Sequence, residues 1–253
     1  MVTVLRRGNP PPVLLFGDDI VSKPLPELEV GPGHTTSCAI HEIDYEGPLS
    51  PWVNFEREVE QQYVNHNWRL EPVGATEDND DPPPHSLSRE QVYVGDENGV
   101  QGRFVQNVGQ AVGSAFASQL LDVRFGDFKS SLYPRGYKKV PDSVMETAAG
   151  GLLAVGELKT PWAKGQIAKY MYDLKLKFGY MSNYDETIFF KQEIPPGRRY
   201  TVLYYSSIIG SDSLFVPGES VTLRQCFFHL GVEASAGPDH ITEVTRTVPW
   251  FSG

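Results

Sequence analysis

Cysteine is scarce in this chain, and long apolar runs are missing from it. The two cysteines, Cys38 and Cys226, lie far apart without metal-type spacing, which argues against a disulfide framework or a zinc knuckle and predicts two reduced thiols. No run approaches the ~18 apolar residues of a membrane span, and prolines interrupt residues 1–19 too early for a signal peptide. We therefore expect a soluble intracellular protein of the cytoplasm or nucleus, with no membrane partner.

Several familiar catalytic signatures are also missing. The sequence has no G-x-x-x-x-G-K-[ST] phosphate loop, no G-x-G-x-x-G after a strand pattern, no H-E-x-x-H and no G-x-S-x-G. Its six histidines have no spacing typical of metal ligands. Composition alone leaves Ser-His-Asp catalysis open, but no motif supports it.

Negative charge dominates the chain but is unevenly distributed. The net charge is −10; residues 1–100 hold 6 basic and 18 acidic side chains, residues 101–200 hold 14 and 9, and residues 201–253 hold 2 and 5. This acidity argues against tight, indiscriminate binding of nucleic acid, because Lys and Arg supply most non-specific affinity for phosphates. A local basic surface around a site in the middle third stays open.

The composition predicts a folded protein with long irregular connections. Of the 253 residues, 40% are hydrophobic and 11% aromatic, with 20 prolines and 24 glycines. Residues 71–88 are acidic, rich in proline and without periodicity, which predicts an exposed or disordered loop. We therefore place an irregular N-terminal extension at residues 1–85 and a second domain at residues 86–253.

Hydrophobic periodicity predicts an α/β domain after this loop. Apolar residues recur every four positions in 99–121, from Val100 and Phe104 to Leu120, as on the buried face of a helix. Other patterns predict further elements. These are strands at 136–147 and 152–160 joined by an Ala-Ala-Gly-Gly turn, a helix at 164–179, strands at 186–193 and 198–209, and a closing helix at 217–234. This succession of strands and helices indicates a layered α/β fold.

Three charged residues lie in or beside the two predicted central strands. Glu157 and Lys159 are two apart and share one face of a strand, and Asp142 lies on the neighbouring strand, where a hairpin brings it towards Glu157. One interpretation is the solvated side of a surface hairpin. The other is a site for Mg²⁺ or Mn²⁺, because these cations select carboxylate oxygens, with Lys159 beside a metal-bound water or a phosphate.

The ordered set resembles the PD-(D/E)XK nuclease superfamily, whose fold is called restriction-endonuclease-like. Pro141-Asp142 and Glu157-Leu158-Lys159 match its central motif, and Gln166 with Tyr170 matches the Q-x-x-x-Y helix motif of its exonuclease-type branch. The stretch from GELKTPW to GYMSNYDETIFF is also similar to uncharacterised fungal proteins with this core. The resemblance covers roughly residues 90–232, and it implies a central mixed sheet flanked by helices.

The resemblance also implies site residues and an activity. It implies that Asp142 and Glu157 bind Mg²⁺ or Mn²⁺ and that Lys159 assists an attacking water. Glu97, whose register with Val100 and Phe104 predicts a core-facing position at the helix start, would complete the metal shell, with Glu90 as the weaker candidate. Gln166 and Tyr170 would position a DNA or RNA strand, and the reaction would be phosphodiester hydrolysis; a homodimer is compatible with this reading. The alternative is an inactive nuclease fold that acts as a binding, regulatory or effector module with a protein partner.

Overall fold

One large β-sheet between two layers of helices forms the centre of the protein. This architecture is seen in a computed structural model that describes residues 13–32, 44–76, 94, 96–158, 164–236 and 251–252. The sheet is mixed, with both parallel and antiparallel pairs. The predicted α/β class, with a mixed central sheet flanked by helices, is confirmed.

The described residues form twelve short strands and six α-helices. The strands are β1 (Val13–Leu15), β2 (Asp44–Tyr45), β3 (Leu49–Pro51), β4 (Gly74–Thr76), β5 (Arg124–Gly126), β6 (Ser143–Glu146), β7 (Leu152–Leu158), β8 (Phe178–Ser182), β9 (Glu186–Glu193), β10 (Val202–Tyr205), β11 (Ile209–Gly210) and β12 (Phe251–Ser252). The helices are α1 (Gly17–Val21), α2 (Phe55–Asn65), α3 (Glu97–Phe104), α4 (Ala111–Ser118), α5 (Lys164–Asp173) and α6 (Leu223–Ser235). A π-helical segment, Val105–Gln110, joins α3 to α4, and a 3₁₀ turn spans Phe128–Ser130.

The central sheet has the strand order β3-β10-β9-β8-β7-β6-β5, with β11 also paired to β9. Strands β5, β6 and β7 form an antiparallel meander. Helix α5 then crosses over, and β8 returns parallel to β7. Strands β1 and β4 form a separate pair, as do β2 and β12. Among the described residues, no helix has both the length and the apolar character that a bilayer span requires.

Both faces of the sheet are buried. One face packs against α2, α3, α4 and α6 in a core cluster that includes Phe116 and Phe227, and the other packs against α5 around Ile167 and Met171. Every residue of β7 is buried, as expected for a strand covered on both sides. The first part of the chain shares this structure, because β3 pairs with β10 and Phe55 of α2 lies in the first cluster.

The predicted helix at 99–121 is confirmed over most of its length. Phe104, Val108, Val112 and Phe116 are buried as the four-residue spacing predicts. In a regular α-helix with about 3.6 residues per turn, such spacing would rotate the apolar stripe by about 40° at each step. The wider π-helical turn between α3 and α4 reduces this rotation. The prediction is wrong at Leu120, which is 70% exposed and has a φ of 58° after the helix has ended.

Other predicted elements also differ from the structure; for example, the closing helix predicted at 217–234 begins at Leu223. The helix predicted at 164–179 ends at Asp173, because Lys175 adopts a φ of 57°, and Phe178 is the first residue of β8 rather than part of the helix. The strand predicted at 136–147 is confined to β6, so Asp142 precedes the strand. Strands β5 and β8 lie where the sequence patterns predicted none. Cys38, Glu90, Lys159 and residues 77–88 of the predicted acidic loop lie outside the described residues.

Tyr180 of β8 packs directly against the backbone of Gly156 of β7. The two residues are register partners, and a Cβ atom on Gly156 would overlap the Tyr180 ring. The hydroxyl of Tyr180 crosses β7 and donates a hydrogen bond of 2.8 Å to Oγ of Ser143 on β6. The Tyr180 ring also stacks on Phe104 of α3, at 5.8 Å between centroids. One side chain therefore connects three strands and a helix.

We expect Gly156→Ala to destabilise the protein by about 3 kcal/mol, because overpacking of a core site costs about 1–3 kcal/mol. Gly113→Ala is the matched control, since a Cβ atom at Gly113 of α4 meets open space and alanine favours a helix by up to about 1 kcal/mol. Urea unfolding of both variants measures the difference. Equal stabilities would contradict the proposed role of the Tyr180 contact.

A second unusual feature of the core is a buried histidine. His229 of α6 is only 3% exposed, and its ring centroid lies 6.0 Å from that of Phe55. Neither ring nitrogen has a hydrogen-bond partner among the described residues. Burial, followed by the positive charge of Lys191, lowers the pKa of His229 to about 4. The folded protein therefore holds this imidazole neutral.

The depressed pKa of His229 predicts a loss of stability in weak acid. Below the unfolded-state pKa of about 6.5, His229 binds a proton in the unfolded chain but not in the folded chain. The free energy of unfolding therefore falls from pH 6.5 down to about pH 4. At pH 5 this contribution is about 2 kcal/mol. Urea unfolding at pH 7 and pH 5 should show that His229→Leu removes about this much of the pH dependence. An unchanged pH dependence in the variant would rule out His229 as its source.

Candidate functional site

Asp142 lies at the end of the sheet where β6 begins. Ser143 is paired with Gly156, so the same register places Asp142 opposite Glu157. Oδ2 of Asp142 accepts a hydrogen bond of 2.9 Å from the backbone N–H of Leu158. The carbonyl oxygen of Asp142 accepts a second bond of 2.9 Å from Nε2 of Gln101. Strand β7 and helix α3 thus fix this half-buried acid from two sides.

Glu157 is the second acid of the candidate site and lies on β7. It is 1% exposed, on the face of the sheet that packs against α5, while its neighbour Leu158 packs in the cluster on the other face. Directly opposite residues of an antiparallel pair share a face, so Asp142 and Glu157 point towards the same layer. A buried carboxylate is costly unless its charge is offset. The buried position of Glu157 therefore indicates a functional role more strongly than the presence of an acid in the sequence does.

Helix α5 contributes Gln166 and Tyr170 to the same layer. The two residues are four apart, and Nε2 of Gln166 donates a hydrogen bond of 2.6 Å to the hydroxyl of Tyr170. Both side chains are buried, and Oε1 of Gln166 has no partner among the described residues. The shared helix face predicted for this pair is confirmed.

The pKa of Tyr170 connects α5 to both acids. Burial raises it most, the hydrogen bond from Gln166 lowers it, and the negative charges of Glu157 and Asp142 raise it further, to about 12. The hydroxyl is therefore neutral at physiological pH and keeps a proton to donate. Asp142, Glu157, Gln166 and Tyr170 thus belong to one cluster, built from the start of β6, the end of β7 and one face of α5.

Glu97 does not share the burial of this cluster. It is the first residue of α3 and is exposed, whereas the sequence predicted a core-facing side chain. Gln101, one turn later, is the residue of this helix that reaches Asp142. Within the described part of the chain, no three His, Cys, Asp or Glu side chains are grouped closely enough to hold a metal ion. The helix dipole accounts for an acid in the first turn of α3.

The donor chemistry of the cluster nevertheless fits a hard divalent cation. Mg²⁺ is commonly held by one or two carboxylates, with waters and substrate phosphates completing its shell. Asp142 and Glu157 supply two such carboxylates from adjacent strands. They are the residues that would hold the ion.

Two features of this end of the sheet were missed by the sequence analysis. A cavity of about 280 Å³ beside Asp142 is lined by Gln101, Phe104, Gln110 and Phe125, among others. A segment without acidic residues, Phe128 to Pro141, leads directly into Asp142 and contains four basic side chains. The charge pattern of the second feature is visible in the sequence, whereas the cavity depends on how α3 packs over β5.

The chain was compared with models of protein families, with curated proteins and with solved structures. None of the three comparisons finds a match.

Proposed function

We propose that the protein is a metal-dependent nuclease that hydrolyses phosphodiester bonds of nucleic acid. The observation that carries this proposal is the strand register that places Asp142 opposite Glu157, on the face of the sheet covered by α5 with its Gln166–Tyr170 pair. Two carboxylates held together in a buried layer favour the binding of a divalent cation, and such a cation can bind and polarise a phosphodiester.

Each residue of the cluster has a distinct task under this proposal. Asp142 and Glu157 hold Mg²⁺ or Mn²⁺, which when bound stabilises negative charge on the scissile phosphate and lowers the pKa of a water. Tyr170 stays neutral and donates a hydrogen bond, while Gln166 orients its hydroxyl. Lys159, next but one after Glu157, is proposed to assist the attacking water and to offset charge on the phosphate.

The topology around the site supports the same proposal. From α3 to β8, the chain forms a helical region and then a three-stranded antiparallel meander. A crossover helix follows, and the next strand runs parallel to the third strand of the meander. This order agrees with the mixed sheet flanked by helices that the resemblance to the restriction-endonuclease-like fold implies. The proposal therefore extends to the fold family and to the PD-(D/E)XK motif on Asp142, Glu157 and Lys159.

A second candidate function is a nuclease-like fold that binds a partner without cleaving nucleic acid. The observation that favours it is the hydrogen bond that occupies Oδ2 of Asp142 with the N–H of Leu158. An acid used to fix the strand is a weaker metal ligand, because one of its oxygens is engaged. The two candidates differ in a property that is measured directly, the binding of Mn²⁺ by the folded chain.

We expect the purified chain to cleave labelled DNA or RNA in Mn²⁺ or Mg²⁺ and not in EDTA. Asp142→Ala, Glu157→Gln and Lys159→Ala should each reduce cleavage by at least about a hundredfold, since even outer-shell changes at metal sites cost about 10–100-fold. Glu233→Ala is the control, because this acid is exposed on α6 and should leave the rate unchanged. Product formation on denaturing gels measures the rates.

Two further measurements separate loss of the site from loss of the fold. Urea unfolding shows whether each variant is folded, which matters most for Asp142→Ala because Asp142 holds the N–H of Leu158. Calorimetry with Mn²⁺ should show binding that Glu157→Gln abolishes. A folded chain that neither binds Mn²⁺ nor cleaves would favour the second candidate, and cleavage that survives the site substitutions would exclude the assigned roles.

A further inference from the structure

We propose that residues 128–141, here called the basic segment, bind the phosphate backbone of single-stranded nucleic acid and lead it to Asp142. The inference rests on the proposed function for the identity of the substrate. It goes beyond that function by assigning a binding surface and a strand form to a part of the chain that has no role in the metal site. Three observations support it: the positive charge of the segment, its defined backbone conformation and its path along the sheet.

Charge sets the basic segment apart from the rest of the chain. It contains Lys129, Arg135, Lys138 and Lys139 and no acidic residue, in a protein whose net charge is −10. Lys129, Arg135 and Lys138 are exposed, and none of these three forms a salt bridge with the described residues. Their positive charges are therefore available to an external anion. Lys and Arg contacts to phosphate supply most of the affinity for nucleic acid.

The basic segment is held in a defined shape rather than left as an open loop. Phe128 is buried, and its ring stacks on Tyr133 at 4.4 Å and meets Tyr137 edge-on at 5.6 Å. The N–H of Tyr137 donates to the carbonyl of Pro134 at 3.1 Å, which closes a turn around Arg135 and Gly136. Gly136 has a φ of 84°, as the third position of a type II turn requires. Arg135 is thus presented at a fixed tip.

The path of the basic segment leads from the far end of the hairpin back to the site. Strand β5 ends opposite Val144, near the start of β6 and hence near Asp142. The N–H of Leu132 then donates to the carbonyl of Gly150 at 2.7 Å, in the turn at the other end of β6 and β7. The chain must therefore return along the hairpin between residues 133 and 141 before it reaches Asp142. A strand bound along this return path ends at the carboxylates.

The return path runs beside helix α5, which carries the other half of the site. Tyr137 packs against the cluster that contains Tyr170 and Met171. Burial raises the pKa of the Tyr137 hydroxyl most, and the negative charge of Asp173, the last residue of α5, raises it further. The basic segment and the candidate site therefore lie on the same side of the sheet, both against α5.

An aromatic ring on the same surface favours an unpaired strand. Tyr133 is 40% exposed while one face of its ring is stacked on Phe128. Surfaces that combine a basic track with exposed aromatic rings suit single strands, because unpaired bases stack on the rings while the charges follow the backbone. Tyr133 lies two residues before Arg135, so ring and charge act on neighbouring parts of one strand.

The test is binding of a fluorescein-labelled oligodeoxythymidylate by the full chain, measured by anisotropy in EDTA so that no cleavage occurs. Arg135→Gln/Lys138→Gln should lower the slope of log K against log salt by about 1.4, at about 0.7 per phosphate contact on single strands. If affinities converge near 1 M salt, the variant binds about 25-fold more weakly at about 0.1 M salt. A duplex of the same length should bind more weakly than the single strand.

The matched control is Arg198→Gln/Arg199→Gln, which removes the same charge from an exposed turn. This turn follows β9 at the end of the sheet opposite Asp142. The control should keep the salt slope of the unaltered chain. An equal effect of both double variants, or no effect of either, would overturn the role of the basic segment, and duplex binding as tight as single-strand binding would overturn the strand form.

Failure of this inference and failure of the proposed function are distinguishable. If the chain cleaves nucleic acid in Mn²⁺ but Arg135→Gln/Lys138→Gln binds normally in EDTA, the nuclease stands and the basic segment does not. If that variant loses binding but the unaltered chain never cleaves, the basic segment stands as a nucleic-acid surface and the nuclease does not. Equal circular dichroism spectra of the two double variants and the unaltered chain show that the exposed substitutions leave the fold intact.

Discussion

The ring of Tyr180 lies across the backbone of Gly156, and the spacing of the strands that carry the site depends on this contact. Only a residue without a side chain lets the ring cross β7 and reach Ser143 on β6. Ser143 is the residue after Asp142, so the hydrogen bond from Tyr180 fixes the strand at the point where the acid leaves it. The same ring packs against Phe104 and Phe227, from α3 and α6. Helix packing on one face is thereby coupled to the position of an acid that points to the other face.

The acidity of the whole chain and the proposed substrate are compatible because charge acts locally. At an ionic strength of about 0.1 M, the field of an exposed charge is screened over about 10 Å. Acidic residues farther than this from a phosphate on the proposed return path would therefore have little effect on its binding. Arg135, Lys138 and Lys139 precede Asp142 in the sequence and lie on the segment that leads to it. Under the proposal, a nucleic-acid strand on this path contacts these basic side chains before it reaches the carboxylates of Asp142 and Glu157.

The sequence predicted which residues lie together better than it predicted the elements around them. Asp142, Glu157, Gln166 and Tyr170 were identified by spacing and by resemblance, and the structure gathers them because opposite strand positions and an i, i+4 helix pair are local geometry. Glu97 was predicted to face the core by extending the helix register back from the first apolar residue. The first turn of the helix is exposed, so packing against the core does not fix the direction of a side chain there. Lys159 lies outside the described residues, so its assignment stays a prediction.

The errors in the elements have physical causes. The start of strand β8 was predicted as the end of a helix, because Phe178 continues the spacing of Ile167, Met171 and Leu174. The residue type of Lys175 does not indicate the left-handed conformation that ends the helix. Strand β5 has three residues, too few for an alternating pattern to be visible. The π-helical segment was not predicted either, although the strict four-residue spacing from Phe104 to Phe116 is what a regular α-helix would not keep on one face.

The bond from Leu132 to Gly150 divides the connection between β5 and β6 into two arms. Each arm closes a shorter loop than the whole connection would, so each costs less conformational entropy to order. The arm after Leu132 must match the length of the hairpin, because both of its ends are fixed to the sheet. Its sequence is under no such restriction outside Tyr137 and the turn at Gly136. Substitutions there would alter what the proposed binding surface recognises while the distance to the end of the sheet that holds Asp142 stays constant.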